Sequence, residues 1–342
     1  MDGKLVETKE AVSPANNPNR ELFKRFEVQK LLGKGSYGIV YRVKRLLDGR
    51  VYALKEIDVR KMSARTGADA VNEIRLLASV KHQNIIRYHE AFLDGNLLCI
   101  VMEYAQYGDL GRLIKKAIEL KKAFPEKIIW KYFMQICEGM QVLHNAKIIH
   151  RDIKPMNIFV GDHDIVKVGD LGIAKMIKEG VANTQIGTPH YMPPELWQNK
   201  KYTFTSDLWA LGCLLYELMT YRVPFEARSM AELHTKVMAG HFKPITPGKY
   251  SADLINLMGQ LLQVNPQRRP MVSQILASSV LQKHAAGGSH IAAAAAPFSK
   301  GTVLQTIKIP ADLQLLQARL PQAEYGDAEG QGEQIQARKS LI

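Results

Sequence analysis

Ile149-His150-Arg151-Asp152-Ile153-Lys154-Pro155-Met156-Asn157 and, with its aspartate 18 residues beyond Asp152, Gly169-Asp170-Leu171-Gly172 are the most informative stretches of this 342-residue chain. They bring together two carboxylates, a carboxamide and an ammonium group. Oxygen donors such as Asn157 and Asp170 suit magnesium. Asp152 can orient and deprotonate a hydroxyl, and Lys154 can steady a phosphate. Phosphoryl transfer asks for this set, because it needs charge neutralisation and an aligned acceptor more than covalent help. A His-Arg-Asp triplet alone arises by chance; the nine-residue run at this distance from an Asp-x-Gly does not.

Upstream lies Gly33-Lys34-Gly35-Ser36-Tyr37-Gly38-Ile39-Val40. Three glycines at this spacing let a backbone fold closely over phosphates, but the same spacing opens dinucleotide folds. In those folds a helix must follow, whereas here a β-like run follows from Ile39 to Val43, which disfavours that reading. Seventeen residues after Gly38 comes Lys55, inside the apolar run Tyr52-Ala53-Leu54-Lys55-Glu56-Ile57. A buried ammonium needs a partner. Glu73, in Val71-Asn72-Glu73-Ile74-Arg75, is the expected one, and the pair would aim Lys55 at the α- and β-phosphates of a nucleotide.

Around these landmarks the chain changes character twice. Residues 1–25 form a polar extension, expected to be flexible, with Pro14, Asn16, Asn17, Pro18 and Asn19 clustered. From Phe26 short β-rich runs follow, at Phe26 to Leu32, Ile39 to Arg45, Val51 to Ile57, Ile86 to Leu93 and Leu97 to Met102. Asp48-Gly49 and Asp94-Gly95 are turn signals between them. A helical stretch at about Ala68 to Ser79 interrupts the series; residues 108–145 read as two helices, and most of 192–280 is helical by apolar period. The expected fold is α+β and bilobal: a small β-rich N-lobe of about 26–102 and a larger helical C-lobe of about 106–280, with a cleft between them. Residues 281–342 read as linker and low-complexity tail. Within it Thr302 to Ile309 is β-like, and Leu313, Leu316 and Leu320 share a helical face before Pro321. That segment either docks on its own domain or is merely local structure, or else it binds a partner or dimerises.

The net charge of +13 raises nucleic acid as a partner. Each flank carries only +1 (5 basic against 4 acidic residues in 1–25, and 6 against 5 in 281–342), leaving +11 for 26–280. No block of five consecutive Lys/Arg occurs and no aromatics interleave, so nucleic acid is not expected; acidic protein surfaces are. No apolar run approaches the roughly 20 residues of a membrane span, and the N-terminus has no apolar signal core, which points to an intracellular, cytoplasmic protein. Cys99, Cys137 and Cys213 each sit in an apolar run and read as buried free thiols. The histidines form no zinc-spaced cluster.

Residues 26–280 resemble the eukaryotic protein kinase family over their whole length, with the motifs in that family's order. The resemblance implies ATP and Mg2+ as cofactors and assigns further roles. Leu32 and the glycine loop would cover the nucleotide; Met102 would be the gatekeeper; Glu103, Tyr104 and Ala105 would be the hinge facing adenine; Val40, Ala53 and Phe159 would sandwich the purine. Leu77, His150 and Leu171 would stack as a spine. Glu195, in Gly187-Thr188-Pro189-His190-Tyr191-Met192-Pro193-Pro194-Glu195, would pair with Arg269, and Asp207 would anchor the catalytic loop. Lys154 and the Gly187-Thr188 turn resemble Ser/Thr rather than tyrosine kinases. Arg151 would bind a phosphate on the activation loop, placed at Thr184, with Thr188 as a second regulatory position.

Several features resemble the NIMA-related group: Leu171 where Phe is usual, the run Thr184 to Met192, the turn Lys81-His82-Gln83-Asn84-Ile85, and Leu304-Gln305-Thr306-Ile307-Lys308-Ile309-Pro310, within a NIMA-like segment of about 302–321. The group's associations imply microtubule, ciliary or cell-cycle substrates, cytoskeletal or ciliary partners for the tail, and centrosome, basal body or cilium as locations. The tail lacks a long heptad repeat, so the oligomeric state stays open. A catalytically weak kinase-fold scaffold is the alternative, and it normally loses Lys55, Asp152 or Asp170, all retained here.

Overall fold

The structure is a computed structural model that describes residues 20–35, 38–61, 74–75, 78–169, 189–246, 248–285 and 320–325. Two compact units emerge. The first takes the chain up to Met62, then Tyr88–Tyr104 and the end from Leu320; the second takes Ser63–Arg87 and Ala105–Arg319.

The first unit is a five-stranded antiparallel sheet in the order β1-β2-β3-β5-β4. Its strands are β1 (Phe26–Gly35), β2 (Gly38–Arg45), β3 (Val51–Asp58), β4 (Tyr88–Asp94) and β5 (Leu97–Glu103). The two turn signals do what their residues allow. Gly49 and Gly95 adopt φ of +69° and +60°, a left-handed conformation that glycine reaches without strain. Asp48 accepts from the Arg50 amide at 2.9 Å, closing the first of these turns. One face buries Leu22, Phe26, Tyr41, Val43, Leu54, Phe92, Cys99 and Val101 as a single cluster.

Two local expectations differ. The fourth strand starts at Tyr88, not Ile86, because the Ile86 amide donates to the Val168 carbonyl at 2.8 Å and belongs to the second unit's hydrogen bonding. Residues 20–25, expected within the flexible extension, instead carry helix α1 (Glu21–Arg25). Leu22 is fully buried, and the Arg20 guanidinium bridges Glu56 at 2.5 Å and Asp94 at 2.6 Å. Polar composition masked this anchor, which rests on one leucine and one arginine.

The second unit is helical: α2 (Leu110–Glu119), α3 (Glu126–Asn145), α4 (Pro194–Trp197), α5 (Phe204–Thr220), α6 (Met230–Ala239), α7 (Ala252–Leu261), α8 (Val272–Ala277) and α9 (Ser279–Ala285), with a small hairpin of β6 (Ile158–Val160) and β7 (Val166–Val168). Helices α3 and α5 supply the largest shares of its core, including Phe133, Ile136, Met140, Leu208, Trp209 and Leu215. Helix α5 is apolar on nearly every face because it is enclosed on nearly every side. Residues 74–75 and 78–79 are helical, within the stretch expected to be a helix. Cys99, Cys137 and Cys213 are buried free thiols, and burial pushes their pKa values upward, so they are inert. Among the described residues no helix is long and apolar enough to cross a membrane.

The expected Glu195–Arg269 pair is present and buried. Nη1 and Nη2 donate to the two carboxylate oxygens at 2.8 Å each. Nη1 also serves the Thr205 carbonyl at 2.7 Å and Nε the Gln263 carbonyl at 2.8 Å, while Ser206 donates to Glu195 at 2.7 Å. Burial alone would raise the Glu195 pKa, but the Arg269 hydrogen bonds and charge outweigh it and hold the pKa below the ordinary glutamate value. A depressed carboxylate stabilises the fold fully above the unfolded-state pKa, and the contribution disappears as pH falls through the folded-state value. Glu195→Gln leaves the Arg269 charge uncompensated and is expected to cost about 3–5 kcal/mol at pH 7. Denaturant unfolding of both proteins between pH 7 and pH 3 checks this: the gap should close on acidification, and a pH-independent gap would contradict the ionic reading.

Candidate active site

The loop carrying Asp152 is held from behind by one carboxylate. Asp207, in the first turn of α5, is fully buried. Its Oδ2 accepts from the His150 amide at 2.9 Å and its Oδ1 from the Arg151 amide at 2.9 Å. The Tyr202 hydroxyl donates to Oδ1 at 3.1 Å, and His144 Nε2 to Oδ2 at 2.9 Å. Two successive amides drawn to one carboxylate turn the backbone sharply, and Arg151 adopts φ of +68°. That conformation is costly for a residue with a Cβ and persists only where surrounding bonds impose it.

His150, fully buried, ties this loop to the strand end that leads into Gly169. Its Nδ1 accepts from the Asp152 amide at 3.2 Å, so Nε2 carries the proton and donates to the Gly169 carbonyl at 3.1 Å. Beyond it Lys154 Nζ donates to Asp152 Oδ2 at 2.7 Å. Asn157 Nδ2 donates to the same oxygen at 2.9 Å and to the Asp152 carbonyl at 2.7 Å. Two of the residues singled out in the sequence, Lys154 and Asn157, therefore converge on the carboxylate of a third, Asp152. Asn157 spends its amide nitrogen on Asp152, which leaves Oδ1 as its atom for a cation. The Gly169 amide donates to the Asn157 carbonyl at 3.0 Å, so the chain leaves for Asp170 from a fixed point.

The frame under this loop includes residues that the sequence reading noted only as a group marker or passed over. Asn84 is fully buried. Its Nδ2 donates to Gln135 at 3.0 Å and to the Val166 carbonyl at 2.8 Å; its own carbonyl accepts from Val168 at 2.9 Å. A Cβ on Gly139 would lie 2.5 Å from that carbonyl, and one on Gly169 would lie 2.6 Å from Ile86 and 2.9 Å from Phe159. Both glycines are there for close approach. Phe159 is half-buried on β6.

In the sheet unit, Lys55 is buried on β3, opposite Val40 on β2 and Ile100 on β5. Ala53 lies opposite Met102, and Tyr52 opposite Glu103. A Cβ on Gly38 would fall 1.9 Å from the Glu56 carbonyl, with φ at +149°, so only glycine fits. At Gly33 the opposite holds: a Cβ would meet nothing within 4 Å. Packing within the chain does not require glycine there. Ser36, Tyr37, Glu73, Leu77, Asp170, Leu171, Thr184 and Thr188 lie outside the described residues. Among the described residues no three His, Cys, Asp or Glu side chains form a metal cluster.

His144, Tyr202 and Gln135 carry no sequence signal of their own. A histidine on an amphipathic helix and a tyrosine before a helix are unremarkable until α5 places Asp207 against them.

Residues 26–281 match the protein kinase domain family model. The chain is 41% identical over 263 residues to a probable serine/threonine-protein kinase nek2 of Dictyostelium discoideum, covering 75% of this chain and 63% of that protein. It is 44% identical to a probable serine/threonine-protein kinase nek3 of the same organism, over 74% of this chain and 23% of the other. It is 42% identical to the serine/threonine-protein kinase Nek1 of Mus musculus, over 76% and 21%. The chain thus spans under two thirds of the length of each.

Replacing Asp207 tests the anchoring role. Asp207→Asn keeps the volume but cannot accept from both loop amides while also meeting His144 and Tyr202. The expected loss is about 1–3 kcal/mol for each buried donor left unmet, read by urea unfolding. Tyr202→Phe should lose about 0.5–1.5 kcal/mol. Equal stabilities for wild type and Asp207→Asn would refute the role.

Proposed function

Because the chain belongs to the protein kinase family, in its NIMA-related group, we propose that it is an active Ser/Thr protein kinase that transfers the γ-phosphoryl group of ATP to protein hydroxyls. The observation that carries this reading is the convergence of Lys154 and Asn157 on the Asp152 carboxylate. A scaffold has no need of a base held by a cation and an amide.

The residues fit Mg-ATP. Gly33 leaves room above the loop, Lys55 supplies a buried cation for the α- and β-phosphates, and the hinge of Glu103, Tyr104 and Ala105 with Met102 takes the adenine edge. Asn157 Oδ1 and Asp170 are hard oxygen donors of the kind Mg2+ prefers. The ion, when bound, neutralises charge on the phosphates. In the transfer itself Asp152 accepts the proton of a Ser or Thr hydroxyl as that oxygen attacks the γ-phosphorus, the bond to the ADP oxygen breaks, and ADP leaves. Lys154 screens the charge developing on the transferred group and keeps Asp152 aimed.

Arg151, beside the catalytic aspartate in its enforced left-handed conformation, is the proposed receptor for a phosphate on Thr184, with Thr188 a second regulatory position. NIMA-group membership supports cytoskeletal, ciliary or cell-cycle proteins as substrates and an intracellular location.

Incubating the full chain with Mg-ATP and mapping phosphosites by mass spectrometry, beside Asp170→Ala, tests the reading. Phosphorylated Ser and Thr, Thr184 among them, should appear only in the wild type. Equal phosphorylation of both proteins would sink it. Thr184→Ala retaining full activity would remove the regulatory assignment alone.

A further inference from the structure

Strand β4 is irregular. Between Tyr88 and Glu90 its register against β5 shifts by one residue, and His89 is the residue left over. A bulge bends its strand and re-aims the side chain of its extra residue. Here Glu324 bonds to it. The Glu324 amide donates to the His89 carbonyl at 2.6 Å, and His89 Nδ1 donates to the Glu324 carbonyl at 2.8 Å.

The next residue fills a shaped socket. The Tyr325 ring stacks on His89 with centroids 5.5 Å apart and planes 11° from parallel, and meets the Tyr52 ring edge-on at 5.3 Å. The Arg45 guanidinium lies over its face, 3.4 Å from the centroid. Arg45 is itself held by Asp48 at 3.1 Å, and Asp48 also accepts from the Tyr52 hydroxyl at 2.9 Å. The Tyr325 hydroxyl donates to Glu90 at 2.5 Å, and Glu90 also binds Arg25. Aromatic stacking, a cation over a ring and a charge-assisted hydrogen bond thus act on one side chain.

The strands gripped here are those next to the predicted nucleotide edge. Tyr52 is the register partner of Glu103, and Tyr88, adjacent to the bulge, is the partner of Met102. We propose that residues 320–325 form a C-terminal clasp, anchored by Tyr325, that braces the bulged strand β4 and through it stiffens the β5 end carrying Met102 and Glu103. The tail is then a part of the sheet unit, supplied from the other end of the sequence. Its effect on nucleotide affinity rests on the kinase reading; its effect on the sheet does not.

Hydrogen exchange read by mass spectrometry on the full chain separates the two. Amides of residues 88–103 should exchange about tenfold faster in Tyr325→Ala than in wild type. Tyr325→Phe should fall between them, because it keeps the stacking and loses the bond to Glu90. Equal protection in wild type and Tyr325→Ala overturns the clasp. Calorimetric titration of the same proteins with Mg-ATP should give a several-fold weaker Kd for Tyr325→Ala. Faster exchange with an unchanged Kd overturns the coupling to β5, whereas a wild type that binds no ATP refutes the kinase reading and leaves exchange to decide the clasp.

Discussion

The buried Asp207 carboxylate is the constraint on which the arrangement around Asp152 depends. Four donors converge on it, two of them consecutive backbone amides of the loop. An ionised group in a dry interior is tolerated only when its lone pairs are met, and meeting them fixes the loop. Arg151 is forced to positive φ, His150 is turned inward, and Asp152 is presented beyond them. The Asp152 carboxylate thus inherits its position from a second carboxylate buried behind the loop. The same economy appears at Glu195, where an ionic pair with Arg269 ties α4 to the start of α5.

A second frame carries Asn157 and Gly169. The buried Asn84 side chain and backbone knit the segment before β4 to β7, Gly139 lets helix α3 approach it, and His150 closes the link to the Gly169 carbonyl. Catalysis by positioning demands such supports, because phosphoryl transfer gains most from groups already in place. In this chain His150, Arg151 and Asn157 are each held by a hydrogen bond with a different segment.

Much of this was legible in the sequence, for identifiable reasons. Strand alternation and the Asp48-Gly49 and Asp94-Gly95 turns declare the hairpins, because only glycine takes those left-handed conformations cheaply. The apolar period of α3 and the long apolar run of α5 declare the helical core. Lys55 stands out because a charged group in an apolar strand needs an explanation, and Asp152, Lys154 and Asn157 because their run lies at a fixed distance from an Asp-x-Gly. What escaped was long-range and polar. Nothing local marks His144, Tyr202 or Gln135, since their role exists only once distant segments meet. The start of β4 was misjudged because Ile86 looks like strand but bonds to Val168. Residues 20–25 read as extension because a single Arg20 and a single Leu22 do the anchoring. Tyr325 sits in a polar stretch of the tail, and its socket exists only once His89, Tyr52, Arg45 and Glu90 are brought together by the sheet.

The central claim is that Asp152, aimed by Lys154 and Asn157, is the base of a Ser/Thr phosphotransfer rather than a structural relic. Steady-state kinetics of Asp152→Asn on a serine-containing peptide, with ATP affinity measured in parallel, test it most directly. The account predicts a kcat lowered by about 10²–10⁴, the usual worth of a positioned general base, with ATP binding within a few-fold of wild type. A kcat equal to that of the wild type, with ATP still bound, would contradict it.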